Sequence, residues 1–321
     1  MLEIDDLSLT IPTTDGAKPA VTHVSLTLKP GQVLGLVGES GCGKTLTAQA
    51  ILRLGEVQGV ERTSGRILLD RHDVFAMDEK PLRQVRGGRV AMIFQEPMTA
   101  LNPVFTIGEQ MVDVIRLHLG FNKQQARGRA IELLKDVGLQ DAEDLLKQYP
   151  DALSGGMRQR VLIAMAMSPE PEYIIADEPT TALDVSVQAR IVELLKTLQQ
   201  KRGLGMLLVT HDFGLVAELA DSVAVMYAGH IVEFGSAKDM FDHPAHPYTK
   251  ALMACRPEAG SHGGDLPVIP GQVPVPGAWP AGCRFAPRCA LATNECKAPV
   301  AVDAWNRKDH TARCLHVEDG A

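Results

Sequence analysis

Residues 38–45, Gly-Glu-Ser-Gly-Cys-Gly-Lys-Thr, have the composition of a polyphosphate-binding loop. An apolar run at 33–37 precedes them and a helical pattern at 45–54 follows, as the motif G-x-x-x-x-G-K-[ST] requires. The glycines let backbone N–H groups turn toward phosphate, Lys44 supplies charge between the β- and γ-phosphates, and Thr45 is a Mg²⁺ ligand. The predicted nucleotide-binding residues are Gly38, Glu39, Ser40, Gly41, Cys42, Gly43, Lys44 and Thr45.

Two carboxylates, Asp177 and Glu178, end a second apolar run at 174–176. Packing explains such a pair poorly, whereas phosphate chemistry needs both groups. Asp177 is predicted to hold the Mg²⁺ shell, and Glu178 to polarise the attacking water as general base.

A third turn, Leu-Ser-Gly-Gly-Met-Arg-Gln-Arg at 153–160, lies between the phosphate loop and the carboxylates. A Ser-Gly-Gly turn is commonly a helix cap. Its place between the other two motifs indicates a more specific role.

Composition excludes some classes of protein. The chain has 32 Lys and Arg against 39 Asp and Glu, a formal net charge of −7, so we expect no nucleic-acid partner. No apolar run approaches the roughly 18–20 residues that span a bilayer, and the N-terminus is acidic where a secretory signal is basic. We therefore expect a cytosolic protein that meets the membrane through a partner.

The organisation along the chain is an α/β alternation interrupted by helices. Strands are expected at 2–9 and 21–28, separated by a turn-rich stretch at 12–19, and helical spacing holds over 107–146. Beyond about Gly260 prolines punctuate a segment with little periodicity. We expect one domain over 1–258 and an irregular extension over 259–321.

The extension holds four cysteines, spaced Cys283-x₅-Cys289-x₆-Cys296-x₁₇-Cys314. In a cytosolic protein this cluster favours a metal or iron–sulfur site over disulfides, although the C-x₂-C pairs of a zinc ribbon are missing. His310 and His316 are possible alternate ligands.

Together these motifs resemble those of ATP-binding-cassette (ABC) ATPases. Residues 153–157 resemble the family signature LSGGQ, with Met157 in place of glutamine. The resemblance implies that Ser154, Gly155 and Gly156 contact the γ-phosphate bound by a second protomer. It also implies that Gln95 reaches Mg²⁺, that residues 182–184 form the loop crossing the dimer interface, and that His211 contacts the γ-phosphate.

Three further stretches, 95–104, 149–156 and 246–252, resemble the peptide-importer branch, which serves dipeptide, oligopeptide, nickel and glutathione uptake. The implied fold is an α/β P-loop nucleotide-binding domain with a RecA-like core, an antiparallel β subdomain, a helical subdomain at about 105–168 and the small extension. The long form of this branch carries a [4Fe-4S] cluster, so Cys283, Cys289, Cys296 and Cys314 are expected to hold one, with zinc as the alternative.

The branch implies an ATP hydrolase coupled to transport, peripheral on the cytoplasmic face of the inner membrane. Its expected partners are a second, different ATPase subunit, two transmembrane permeases and a periplasmic or extracellular solute-binding protein. The alternatives are another small solute or a non-transport ABC ATPase. One departure is Ile11, where the family places an aromatic residue against adenine, so we expect reduced selectivity among ATP, GTP and CTP.

Overall fold

The computed structural model describes residues 1–181, 183–255 and 268–317. The strands are β1 Leu2–Thr13, β2 Gly16–Leu28, β3 Val33–Val37, β4 Glu61–Leu69, β5 His72–Asp73, β6 Val90–Ile93, β7 Tyr173–Asp177, β8 Gly205–Thr210, β9 Ser222–Tyr227, β10 His230–Ser236, β11 Trp305–Arg307 and β12 His310–Ala312. The α-helices are α1 Lys44–Ala50, α2 Glu79–Val85, α3 Pro97–Ala100, α4 Ile107–Leu119, α5 Lys123–Asp136, α6 Ala142–Leu145, α7 Gly155–Met167, α8 Val185–Arg202, α9 Phe213–Leu219, α10 Ala237–Asp242 and α11 Pro247–Ala254.

The chain forms two compact units. The first comprises Met1–Leu28, Val33–Ala76 and Leu208–Ala321, and the second comprises Lys29–Gln32 and Met77–Leu207. Strand β8 begins in the second unit and ends in the first. The domain boundary expected between residues 258 and 259 and the expected interface residue Ala182 lie outside the described residues.

One sheet of the first unit is antiparallel, with the order β2-β1-β4-β5. Strands β1 and β2 continue through the stretch 12–19, where the sequence favoured an extended turn. The expectation was wrong because neither proline stands where a neighbouring strand needs a backbone N–H. Pro19 is on edge strand β2, and Pro12 lies beyond Thr10, where pairing of β1 with β4 ends. Gly16, with φ of +100°, follows the short turn.

The other strands of the first unit run in the order β11-β12-β10-β9-β3. Strand β3 is parallel to β9, and the remaining pairs are antiparallel. The expected turn between β9 and β10 is present, with positive φ at Ala228 and Gly229. The extension is more regular than expected: the hairpin β11–β12 joins β10, with Ala312 opposite Glu233.

The second unit holds the parallel pair β6–β7 and the helices expected over 107–146. Capping boxes begin two of these helices, Thr106 with Glu109 at α4 and Asn122 with Gln125 at α5. Two hydrogen bonds from Thr106 lower the pKa of the Glu109 carboxyl. Across the described parts of the chain, no helix combines the length and apolar character needed to cross a membrane.

A buried carboxylate holds the extension to the rest of the first unit. Glu233 on β10 is 1% exposed, and its oxygens accept hydrogen bonds from the N–H groups of Ala245 and His246 at 2.7 and 2.8 Å. His310 Nε2 on β12 lies 2.7 Å from Glu233 Oε1. One side chain therefore joins β10, the loop before α11 and the hairpin β11–β12.

Replacing Glu233 with alanine should lower the free energy of unfolding by about 3 kcal/mol, because two buried N–H groups and His310 lose their acceptor. Denaturant unfolding measures the change. Glu193→Ala on the exposed face of α8 is the control and should change stability by less than about 0.5 kcal/mol. Equal stability of the two variants would contradict the role given to Glu233.

Candidate functional site

The phosphate loop follows the fully buried strand β3, as predicted. Its glycines Gly38, Gly41 and Gly43 have φ of +154°, +78° and +106°. At Gly38 an added Cβ would lie 2.2 Å from the carbonyl oxygen of Met226, so no other residue fits there. The loop therefore has the left-handed turns that direct backbone N–H groups toward an anion.

Lys44 begins α1 and is only 5% exposed. Its Nζ donates to the carbonyl oxygens of Gly38 at 2.8 Å and Glu39 at 3.0 Å. The ammonium is therefore held inside the loop by the residues expected to surround a phosphate. Thr45, the predicted Mg²⁺ ligand, is next in the chain and half-buried.

Cys42 is fully buried in the same loop. Burial raises the pKa of its thiol despite the opposing charge of Lys44. The thiol is therefore protonated and acts as a small side chain in the loop rather than as a reactive thiolate.

Glu39 makes contacts that the sequence did not indicate. Its N–H donates to the Tyr248 hydroxyl at 2.9 Å, and its carboxylate pairs with Arg288 of the extension at 2.8 and 3.0 Å. Burial disfavours the charge of Arg288, but hydrogen bonds to Glu39 and Tyr227 outweigh burial and raise the pKa of Arg288. A separation of 249 residues leaves no local signal for this pair.

In the second unit the predicted carboxylates end β7. Asp177 is 2% exposed and Glu178 is 9% exposed with φ of +45°. Glu178 Oε2 accepts hydrogen bonds from Gln95 Nε2 at 2.8 Å and from Thr181 Oγ1 at 2.9 Å. The structure thus brings Gln95 and Glu178 together. Thr181 is a second hydrogen-bond partner of Glu178 that the sequence did not indicate, although it lies only three residues away.

The Ser-Gly-Gly turn begins α7, also in the second unit. Ser154 Oγ accepts a hydrogen bond from the N–H of Met157 at 3.3 Å, and Ser154 and Gly155 are exposed. A Cβ at Gly156 would lie 2.8 Å from Val187 Cγ1 of α8, so this glycine allows the two helices to approach closely. The turn presents a hydroxyl and helix-end N–H groups to solvent.

His211 is placed in the first unit, directly after β8, and is exposed. Asp212 follows it and caps α9 by accepting hydrogen bonds from the N–H groups of Gly214 and Leu215 at 2.7 and 3.4 Å. The cap fixes the backbone that carries His211. Phosphate-loop residues and His211 therefore belong to one unit, and Gln95, Ser154, Gly155, Gly156, Asp177 and Glu178 to the other.

The four cysteines of the extension line one pocket together with Phe285 and His316. All are free, and burial raises the thiol pKa of Cys283, Cys289 and Cys314. Their donor type suits a soft metal or a cluster. Their spacing does not: within 1–181, 183–255 and 268–317, no group of three or more His, Cys, Asp or Glu could hold a metal ion. His310 is engaged by Glu233 instead.

The phosphate loop and the strand-end carboxylates define the class of an NTP-hydrolysing P-loop protein. Comparison with known families gives a match to ABC transporter over residues 21–181. A second match, to the oligopeptide/dipeptide transporter C-terminal region, covers residues 232–296.

Curated relatives align over nearly the whole chain. The probable D,D-dipeptide transport ATP-binding protein DdpD of Escherichia coli is 48% identical, with 98% of this chain and 95% of the relative covered. The oligopeptide transport ATP-binding protein AppD of Bacillus subtilis is 45% identical, covering 100% and 98%.

Solved structures agree with these matches. A dimeric ATP-binding cassette, MJ0796, in a post-hydrolysis state with ADP and Pi has a TM-score of 0.66 at 28% identity, with 74% of this chain and 99% of that chain covered. CbiO1 of Clostridium perfringens has a TM-score of 0.64 at 26% identity, covering 75% and 90%. The chain therefore belongs to the ABC transporter family, as an ATP-hydrolysing cassette subunit. The expected fold class is confirmed, and the MJ0796 cassette is dimeric in its solved structure.

Thr181→Val should lower kcat for ATP hydrolysis about tenfold, because Glu178 loses one of the hydrogen bonds that orient it. The affinity for MgATP should change less than about twofold, since the hydroxyl contacts the carboxylate of the predicted general base. Steady-state hydrolysis and equilibrium binding measure the two quantities. Thr27→Val at an exposed position of β2 is the matched control. An unchanged kcat in Thr181→Val would contradict the positioning of Glu178 by Thr181.

Proposed function

We propose that the chain powers an ABC importer of dipeptides or oligopeptides. The main support is that relatives named for dipeptide and oligopeptide transport align over 98% or more of the chain. The match of residues 232–296 to a C-terminal region of peptide transporters agrees with this. Nickel, glutathione or another small solute remains the alternative substrate, and a non-transport ABC ATPase is the remaining alternative.

The proposed assembly contains two different cassettes, two transmembrane permeases and an extracytoplasmic solute-binding protein. This chain would lie peripherally on the cytoplasmic face of the inner membrane. The exposure of Ser154 and Gly155 supports a partner cassette, because an exposed polar turn at a helix N-terminus suits a phosphate bound by another chain.

In the proposed mechanism the phosphate loop, residues 38–45, binds the β- and γ-phosphates. Lys44 leaves its contacts with the Gly38 and Glu39 carbonyls and pairs with phosphate oxygens. Mg²⁺, when bound, would be held by Thr45, Gln95 and Asp177 and would neutralise phosphate charge. Ser154, Gly155 and Gly156 would bind the γ-phosphate held by the partner cassette.

Glu178 is the proposed general base, taking a proton from the attacking water. Its hydrogen bonds to Gln95 and Thr181 support this role, because they fix the carboxylate oxygen at the end of a buried strand. His211 is proposed to contact the γ-phosphate. Gln95, by releasing or holding Glu178, would report the state of the nucleotide site to the permease.

Glu178→Gln should reduce hydrolysis at this cassette's site at least about 100-fold, because the amide cannot accept the proton. The variant should bind MgATP and accumulate as a nucleotide-bound dimer, measured by size-exclusion chromatography with light scattering. Glu193→Gln, an exposed change of the same type on α8, should match the unchanged protein. Undiminished hydrolysis by Glu178→Gln would refute the base assignment.

The solute is tested in proteoliposomes containing the permeases, both cassettes and the co-purified solute-binding protein. Labelled di- to pentapeptides should accumulate when ATP is supplied, and should not when the complex carries Glu178→Gln. Accumulation of Ni²⁺ or glutathione with no peptide uptake would select the alternative substrate. Hydrolysis with no co-purifying permease would favour a non-transport role.

We further propose that Cys283, Cys289, Cys296 and Cys314 hold a [4Fe-4S] cluster, with zinc as the alternative. The support is the donor type, because four thiols line one pocket, although their spacing in the described residues does not form a metal-binding group. The raised thiol pKa values of Cys283, Cys289 and Cys314 mean that binding would release protons, because the ligands must be thiolates.

Anaerobically purified protein should absorb near roughly 400 nm and contain iron and sulfide, because four thiolates bind such a cluster. Cys289→Ser should lose this absorbance, whereas Cys255→Ser, outside the pocket, should retain it. Stoichiometric zinc without the absorbance would select the alternative, and absence of both metals would overturn the proposal.

A further inference from the structure

The phosphate loop is joined to the C-terminal extension by an ion pair that the hydrolysis mechanism does not use. Arg288 Nη1 and Nη2 donate to Glu39 Oε2 and Oε1 at 2.8 and 3.0 Å. Both oxygens and both terminal nitrogens take part, so the pair is the two-pronged type that fixes orientation as well as distance. Glu39 is itself the second residue of the loop, directly after Gly38.

Arg288 is held rigidly before it reaches Glu39. Its side chain is only 5% exposed, its Nε donates to the Pro270 carbonyl at 2.8 Å, and its Nη2 donates to the Ile269 carbonyl at 3.3 Å. The residue ends a 3₁₀ turn, Ala286–Arg288, that lies between Cys283 and Cys289. A guanidinium fixed by its own segment loses little entropy on pairing, so it can impose a position on its partner.

The main chain of Glu39 is fixed from the same side. Its N–H donates to the hydroxyl of Tyr248, which is fully buried on α11. The rings of Tyr248 and Tyr227 lie 4.6 Å apart, and each lies 5.2–5.3 Å from Phe285, three residues before Arg288. The loop thus packs against an aromatic cluster. The extension contributes Phe285 to this cluster and Arg288 beside it.

Charge explains why this pair matters for nucleotide binding. A free carboxylate on a phosphate loop repels the incoming anion. Arg288 neutralises that carboxylate and, through the two-pronged pair, orients it. The N–H groups and Lys44 then remain available to phosphate.

We propose that Arg288 is a positioning residue for ATP binding: it acts through Glu39 to keep the phosphate loop receptive to polyphosphate. The C-terminal extension is in this way part of the nucleotide site's support. The inference rests on the proposed nucleotide binding by the loop, and not on which solute is carried or what the cysteines hold.

The test is a double-mutant cycle on the full chain, with MgADP affinity measured by isothermal titration calorimetry. Arg288→Gln should raise the Kd about tenfold, equivalent to about 1.4 kcal/mol. In a Glu39→Gln background the same change should alter the Kd less than about twofold, because there is no carboxylate left to neutralise. Arg288→Lys, which keeps the charge but loses the second prong, should lie between Arg288→Gln and the unchanged chain.

Arg284→Gln is the matched control. Arg284 also joins the extension to the rest of the unit, through the Ala228 carbonyl and the Thr22 hydroxyl at 2.8 Å, and it does not contact Glu39. It should leave the Kd within about twofold of the unchanged chain even if it lowers the melting temperature.

Three results would overturn the proposal: an unchanged Kd in Arg288→Gln, an equal loss in both Glu39 backgrounds, or a similar loss in Arg284→Gln. The last two would show that the extension acts only through general stability. If the unchanged chain bound no MgADP, the phosphate-loop assignment would fail together with this proposal. A normal Kd in Arg288→Gln would overturn this proposal alone.

Discussion

The phosphate loop has no room for a side chain at two of its glycines, and much of the first unit is arranged around that constraint. At Gly38 a Cβ would meet the Met226 carbonyl, and at Gly43 it would lie 2.9 Å from Met226 Cε and 3.2 Å from the Ala20 carbonyl. The loop is thus packed against β9 and β2 at these two glycines, which also have positive φ. N–H groups held in fixed directions are what a polyphosphate requires.

The C-terminal extension also contacts the loop, through the ion pair of Arg288 with Glu39. Among the described residues of the extension, few apolar side chains are buried, Phe285, Cys296, Val300 and Ala312. Polar anchors supplement this small core: His310 on Glu233, Arg284 on the Ala228 carbonyl and the Thr22 hydroxyl, and Arg288 on Glu39. Hydrogen bonds fix the orientation of the groups they join, whereas an apolar contact fixes mainly their distance. The hydrogen-bonded extension can therefore influence the position of loop residues more specifically than an apolar contact would.

The sequence predicted local features well and long-range ones poorly. The loop at 38–45, the cap at Ser154 and the carboxylates at the end of β7 were predictable because each depends on neighbours within a few residues. The continuation of β1 and β2 through Pro12 and Pro19 was missed, because only the sheet order shows that these prolines sit where no ladder hydrogen bond is needed. The hairpin β11–β12 was missed because strands of three residues carry no measurable periodicity.

By itself the sequence determined the chemistry: glycines, a lysine and paired acids at fixed spacing can serve little other than nucleoside triphosphate hydrolysis. It could do so because backbone conformation at a glycine turn and charge at a strand end are local properties. Only the tertiary structure decided that Glu178 is oriented by Gln95 and Thr181, and that Glu39 is neutralised by Arg288. Gln95 lies 83 residues from Glu178 along the chain, and Arg288 lies 249 residues from Glu39. No local pattern encodes which distant cation or amide a carboxylate will meet when the chain folds.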